Sequence, residues 1–221
     1  MALIIDSPLK ERFPELMVLT GRIDNVVVTS YLPELETFKE EIIQEIKESY
    51  DLETIKDNPT FRAYRDFFWR IKVDPTKIRP AAEALVRRVL RGRSIPRINS
   101  LVDAYNLASM KSEIALAAFD ADKLSGDLLM RFAVEGEEFL GIGMAEPLRL
   151  TGNEVIITDD EKIVAVYPYR DAEESKITED TRNVLILACG VPGIDEEKLR
   201  SALKIAVKFI TRFCGGTFRL E

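Results

Sequence analysis

The sequence predicts an α+β fold, a mixed or antiparallel sheet flanked by helices, and three observations carry that reading. Helical spacing of apolar residues dominates the first half of the 221-residue chain. Short β-rich runs separated by turn residues dominate the second half. The regular alternation of strand and helix that builds a parallel nucleotide-binding sheet is missing. With 46% hydrophobic and 31% charged residues, the chain also has the composition to bury a substantial core.

Taken in order, residues 16–19 and 26–28 read as two strands, with Gly21 as the turn between them. From Pro33, Leu35, Phe38, Ile42, Ile43, Ile46 and Tyr50 recur at helical spacing with charges between them, which is an amphipathic helix. A second helix follows Asn58-Pro59-Thr60 and directs Phe61, Tyr64, Phe67, Phe68 and Ile71 inward. Pro80 suits a first helical position, Ala84, Leu85, Val89 and Leu90 continue inward, and Gly92 stops that helix. A further helix covers residues 100–110. Strands are expected at 128–134, 155–157, 163–167 and 184–187, with turns at Gly136, Gly152-Asn153 and Asp159-Asp160. Asp195 begins the last helix, Glu196 and Glu197 favour its first turn, and Gly215-Gly216 ends it. No repeat, low-complexity run or linker divides the chain. One compact domain over 1–221 is therefore expected, with a core at about 60–216 and an N-terminal strand–helix extension at 1–59.

Several function classes drop out on composition. The chain contains no histidine, which excludes His-based general bases, Ser-His-Asp triads and His-ligated metals together. Cys189 and Cys214 lie beside apolar residues and read as buried thiols rather than a disulfide or a zinc site. No metal and no cofactor are expected. The N-terminus lacks a basic, then apolar, leader, and no apolar run approaches the ~18 residues that cross a bilayer, so a cytoplasmic protein without a membrane partner is expected.

Charge is unevenly placed. Eleven Lys or Arg residues fall between Arg62 and Arg97, opposed only by Asp66, Asp74 and Glu83. That stretch carries +8 in a chain of −7, leaving −15 on the remainder. An arginine-rich segment in an acidic protein suits local contact with a polyanion, because the planar guanidinium donates two hydrogen bonds to one phosphate. The same arginines also suit ion pairs across helix surfaces. Gly141-Ile142-Gly143 lacks the following Gly and Lys-Ser/Thr of a phosphate loop and reads as a turn. Glu135, Glu137 and Glu138 offer bases, or exposed turn residues at a strand end.

Four short segments, in order, carry a resemblance. They are Asn99-Ser100-Leu101-Val102-Asp103-Ala104-Tyr105-Asn106, Ala118-Phe119-Asp120, Arg131-Phe132-Ala133-Val134-Glu135-Gly136-Glu137, and Thr181-Arg182-Asn183-Val184-Leu185. They resemble the N-x-x-V-D-x-x-N, A-F-D, R-x-A-x-x-G-E and T-x-N-V-L segments of the editing domain, the B3/4 domain, of the phenylalanyl-tRNA synthetase beta subunit. The chain looks like a stand-alone branch of that family, too short to hold a synthetase's catalytic core. The resemblance implies a B3/4-like fold whose pocket receives the acylated 3′ end of a tRNA and hydrolyses the ester of a wrong amino acid, typically tyrosine. Where the bacterial pattern has a histidine before A-F-D and a glutamate after N-V-L, this chain has Ala117 and Leu187. Recognition of tyrosine is therefore not expected to carry over.

The expectation is a quality-control protein that hydrolyses mischarged aminoacyl-tRNA in trans, with tRNA and not DNA as its partner. A non-catalytic RNA-binding module and a binder of free amino acids or other small molecules are the alternatives. Asn106 is expected to position water or substrate and Glu137 to accept a proton. Tyr105, Ser109, Arg131, Arg170 and Asp171 are the expected substrate contacts, and Arg62, Arg65, Arg79, Arg87, Arg88, Arg91, Arg93 and Arg97 the expected RNA contacts. Each has a structural alternative: a capping amide for Asn106, a core aromatic for Tyr105, a helix-end hydroxyl for Ser109, a hairpin ion pair for Arg131–Glu137, and a turn for Arg170-Asp171.

Overall fold

The computed structural model describes residues 1–220. Strand β1 (Leu3–Ile5) leads into helix α1 (Ser7–Arg12), capped by Asp6, which accepts from the Leu9 amide at 2.9 Å. Strand β2 (Val18–Asp24) precedes four helices: α2 (Pro33–Ser49), α3 (Pro59–Arg70), α4 (Ala81–Leu90) and α5 (Ser100–Ser112). Eight strands follow: β3 (Ala115–Asp120), β4 (Leu128–Phe132), β5 (Glu138–Phe139), β6 (Leu148–Arg149), β7 (Val155–Thr158), β8 (Ile163–Tyr167), β9 (Arg170–Asp171) and β10 (Asn183–Cys189). Helix α6 (Glu196–Cys214) and strand β11 (Thr217–Leu220) close the described chain.

Local chemistry explains the helix ends. Asn58 accepts from the Thr60 and Phe61 amides at 2.9 and 3.2 Å, and Pro59 occupies the first helical position of α3. Asn99 does the same work for α5 through the Val102 amide, and Asp195 for α6 through the Lys198 amide. Helix α6 stops at Gly215, whose φ of +66° suits a residue without Cβ. Helix α4 begins one residue later than Pro80 and turns Ala82, Glu83, Val86 and Val89 inward, leaving Ala84 exposed. The expected inner face of that helix is thus rotated.

Two sheets form the frame. The first has the order β1-β4-β7-β8-β9, with β1 parallel to β4 and the other pairs antiparallel. The second, β11-β2-β10-β3, is antiparallel throughout. β5 and β6 form a separate ribbon. Helix α6 packs on α5, β2 and β10, burying Leu199, Leu203, Ala206 and Ile210. The main core runs between both sheets and the helices, while a smaller cluster, including Phe139, Ile156 and Val166, lies on the other face of the first sheet.

Two expectations about the N-terminal half are corrected. Gly21 sits inside β2 rather than at a turn, because the Phe218 ring of β11 lies where a Cβ would be, 2.6 Å from its ideal position. Val26–Val28 is not a strand, although Val26 and Val28 are buried. β3 was not anticipated; it is a fully buried strand across from β10. Among the described residues no helix is long and apolar enough to cross a membrane.

Candidate functional site

A cavity of about 150 Å³ opens where β8 and β9 of the first sheet approach β3 and β10 of the second. Helix α5 supplies Tyr105 and Asn106 to it, and β9 supplies Arg170 and Asp171. Leu116, Ala117, Ile157 and Ala165 make much of the remaining wall apolar. Tyr64 holds the two strands behind the cavity together: its hydroxyl donates to the Cys189 carbonyl at 2.5 Å and accepts from the Ala115 amide at 3.1 Å. The Tyr167 hydroxyl donates to the Gly190 carbonyl and ties the first sheet to the end of β10.

Three polar side chains in this cavity, Tyr105, Asn106 and Asp171, make no hydrogen bond or ion pair with any described residue. Burial pushes the Asp171 carboxyl up to about 7, with the neighbouring Arg170 guanidinium pulling the other way. Burial, and then the Asp171 charge, raise the Tyr105 hydroxyl far above its ordinary range, so Tyr105 stays neutral. The Cys189 thiol is also pushed far up by burial, which removes it as a nucleophile. The Arg170 guanidinium is exposed and donates to the Ile142 carbonyl at 3.1 Å.

The other expected contacts lie elsewhere, for clear geometric reasons. Ser109 is buried and donates to the Ile114 carbonyl at 2.6 Å, completing the end of α5. Arg131 pairs with Ile156 across β4–β7, whereas the cavity takes Ile157 and Ala165. Side chains alternate between faces, so Arg131 points to the far side of the sheet. There it forms a two-pronged bond to Glu137 at 2.7 and 2.9 Å, and Glu137 also accepts from the Val134 amide at 2.6 Å. The Arg131 contact holds the Glu137 carboxylate below its usual range. Glu137 is a spoken-for anion away from the cavity, not a base in it.

The motif residues are mostly architectural. Asp103 accepts from Lys39 at 3.1 Å and from the Ile98 amide at 3.0 Å. Asp120 accepts from the Thr181 hydroxyl at 2.8 Å and the Asp122 amide at 3.2 Å, joining two of the four segments. Phe119 is fully buried. Ala117 and Leu187 are direct cross-strand partners in β3–β10, so both departures from the expected polar pattern fall at one spot beside the cavity.

The basic segment divides into two populations. Arg65 grips the fully buried Glu83 at 2.6 and 2.8 Å, and Arg87 adds a third bond at 2.5 Å. Burial alone would raise the Glu83 carboxyl, but these guanidiniums hold it below the ordinary range. Arg62 and Arg70 line a different hollow together with Glu15, Asp57 and Asp66. Arg97 lies over Tyr31 and near Glu36. Lys72 is exposed outside these hollows, and Lys77, Arg79, Arg88, Arg91 and Arg93 converge with Arg87 on one open groove of about 420 Å³, with no acidic residue in its wall. Ala84 and Leu85 of α4 belong to this groove, and Ala81 at the start of the same helix belongs to the small cavity. The two sites therefore meet the same face of α4, about one turn apart along its axis. Lys77 is one of the eleven cations of the basic segment but not one of the expected RNA contacts, and the cavity residues Pro168 and Tyr169 are not among the expected substrate contacts; the Tyr167-Pro168-Tyr169 run at a strand end is the signal for them.

A larger hollow of about 650 Å³ lies between β1, β2, β11 and α6. It is walled by Leu3, Val18, Leu203 and Val207 and carries lysines and an arginine, but no carboxylate or amide side chain. No group of His, Cys, Asp and Glu able to hold a metal occurs among the described residues.

Comparison with known proteins bears on this arrangement. The phenylalanine–tRNA ligase beta subunit of Yersinia pestis is 28% identical over 168 residues, which is 76% of this chain and 20% of the relative. That of Geobacter metallireducens is 37% identical over 110 residues, 49% of this chain and 14% of the relative. The chain thus spans about a fifth or less of the length of these relatives. A crystal structure of an N-terminal fragment of the phenylalanyl-tRNA synthetase beta subunit from Pyrococcus horikoshii covers 99% of this chain and half of its own. It superposes with a TM-score of 0.53 at 16% identity, which establishes a common fold. The B3/4 domain model matches residues 63–215, the stretch that holds the cavity, α4 and most of the basic segment, and the chain belongs to the B3/4 domain family.

Proposed function

We propose that this protein binds the acylated 3′ end of a tRNA and hydrolyses a wrongly attached aminoacyl ester in trans. One observation carries the reading: a small cavity with a few polar side chains and an acid-free basic groove follow one another along the same face of a single helix, α4. A tRNA end has the same layout, a compact acyl group followed directly by a phosphate chain. The groove arginines match phosphates, and the cavity matches the acyl group. Pro80 gives α4 no side-chain cap, so its first amides have no acceptor within the helix and favour a phosphate where groove and cavity meet.

Hydrolysis on this reading depends on position rather than on a strong base. The ester is already labile, and on this reading the Asn106 amide, which lines the cavity, orients water or the carbonyl. The second reading, a binding module without activity, draws on Ala117 and Leu187 beside the cavity and on Glu137 being engaged elsewhere.

A deacylation screen across mischarged tRNAs tests the proposal, using protein free of host deacylases. The expected result is release of at least one amino acid, with Asn106→Ala lowering turnover more than tRNA affinity. RNA binding without deacylation above the no-enzyme rate would leave the binding module as the better account.

A further inference from the structure

The charge inside the cavity says more about the acyl group than its shape does. Of the two charged side chains that line it, Arg170 is exposed and already donates to the Ile142 carbonyl, so its guanidinium is engaged at the edge. Asp171 is part-buried on β9; its carbonyl accepts from the Ile142 amide at 2.9 Å, but its carboxylate has no hydrogen-bond partner among the described residues. It lies opposite Ala165 on the face shared with Ile157. The groups facing it are neutral: the Tyr105 hydroxyl and Asn106 amide from α5 and the Cys189 thiol from β10. The one cation near it, Arg170, is exposed and bonded to the Ile142 carbonyl, so the carboxylate has room for a further cation, and a small one, since a cavity of about 150 Å³ holds a benzene-sized body.

We propose that Asp171 receives the free α-ammonium group of the aminoacyl ester, so that the cavity selects an esterified, small-side-chain amino acid over the same amino acid in its free form. This inference rests on the tRNA reading above and deepens it. An aminoacyl ester carries one positive charge and no carboxylate. The free amino acid is a zwitterion whose carboxylate, attached to the same Cα as the ammonium, would enter the cavity close to Asp171. Like charges at such separation in a poorly hydrated space repel strongly. The same term works on the product. When water adds to the ester carbonyl and the C–O bond to the ribose breaks, the ribose oxygen leaves with a proton and the amino acid becomes a carboxylic acid that ionises beside Asp171. Ground-state binding and product expulsion then have one cause. Tyr105 and Asn106 remain to hydrogen-bond the ammonium and the carbonyl.

Probes without RNA isolate the proposal. Alaninamide and valinamide are hydrolysis-resistant cations that stand for the ester; free alanine and valine supply the zwitterions, and N-acetyl-alaninamide removes the ammonium. Binding to the full chain is followed by backbone and Asn side-chain amide shifts in solution NMR. The expected outcome is binding of the amides at least about tenfold tighter than the free amino acids, no binding of the acetylated probe, and loss of the preference in Asp171→Asn. Asp171→Asn is nearly isosteric, and its amide spectrum reports directly whether the fold is kept. The proposal is overturned if the zwitterions bind as well as the amides, if acetylation has no effect, if no probe perturbs the cavity, or if Asp171→Asn keeps the preference. A parallel titration with tRNA separates the two readings: amide selectivity without tRNA binding rejects the RNA partner alone, and tRNA binding without selectivity rejects the role of Asp171 alone.

Discussion

Asp171 is an ionisable group whose folded environment works against its charge, and its effect on stability follows in sign. Its carboxyl is raised from 3.8 to about 7 in the folded protein, chiefly by burial. A raised acid stabilises the fold below its unfolded pKa, and that contribution is lost as pH climbs through the folded value. Between about pH 4 and pH 7 this residue alone therefore makes the unliganded protein less stable as pH rises. Asp171→Asn should raise the melting temperature at pH 8, by an amount corresponding to about 1–2 kcal/mol after allowance for partial solvent contact. The advantage should vanish near pH 4. Thermal melts of both proteins across that range check this, and a variant less stable than the parent at pH 8 would contradict the burial argument. Glu137 is the reverse case: bonded to Arg131 and the Val134 amide, it shapes a turn.

At the scale of elements, the link between α3 and α4 decides how rigidly the groove is presented. Glu83 is fully buried and carries two guanidiniums, one from each helix. Removing it leaves two part-exposed cations without their partner and a cavity where the buried carboxylate stood. Glu83→Ala should cost about 3 kcal/mol, or a fall of roughly 6–12 °C in Tm for a chain of this size. Arg87→Ala should cost less, because the two-pronged Arg65 bond survives. Denaturant titrations of the three single variants Glu83→Ala, Arg65→Ala and Arg87→Ala measure the order, and a Glu83→Ala cost no larger than that of a surface substitution would refute it. Helices α2 to α6 are legible in the sequence, because Asn58-Pro59, Asp195 and Gly215 are local signals that act on their own neighbours, whereas the six-residue α1 is not among the expected elements. β3 is not legible either, since Ala115, Ala117 and Ala118 have little intrinsic strand preference and are held extended by β10 and by the Tyr64 hydroxyl. The site shows the same division. Tyr105 and Asn106, singled out through a helical motif, line the cavity, whereas Arg131 and Ser109 do not, because sequence spacing does not say which face of a sheet or helix meets the other half of the molecule.

Over the whole molecule, the decisive quantity is where positive charge stands free in a chain of net −7. The basic segment contains eleven cations, yet Arg65 is absorbed by Glu83, and Arg62 and Arg70 share a hollow with acids. Arg88, Arg91 and Arg93 are the better probes of the groove. Arg87 also lines it, but its bond to buried Glu83 means that a glutamate there would damage the fold and confuse the result. Arg88 donates to the Ser94 carbonyl at 2.5 Å, a contact at the helix end that costs little to lose. Each phosphate contact releases condensed counterions, so the logarithm of affinity falls with the logarithm of salt by about 0.7–0.9 per contact. The triple change Arg88→Glu, Arg91→Glu, Arg93→Glu should therefore weaken tRNA binding at every salt concentration and flatten the salt dependence by about two to three contacts. It should leave the alaninamide affinity of the cavity unchanged, because none of the three residues lines it. Filter binding of tRNA from 50 to 200 mM salt, beside NMR titration of the amide, reads both effects on the same protein. An unchanged slope with weakened affinity would mean that the acidic remainder repels RNA more strongly, rather than that these arginines touch phosphate. A parallel loss of amide binding would mean that α4 has shifted and that groove and cavity are not separable sites.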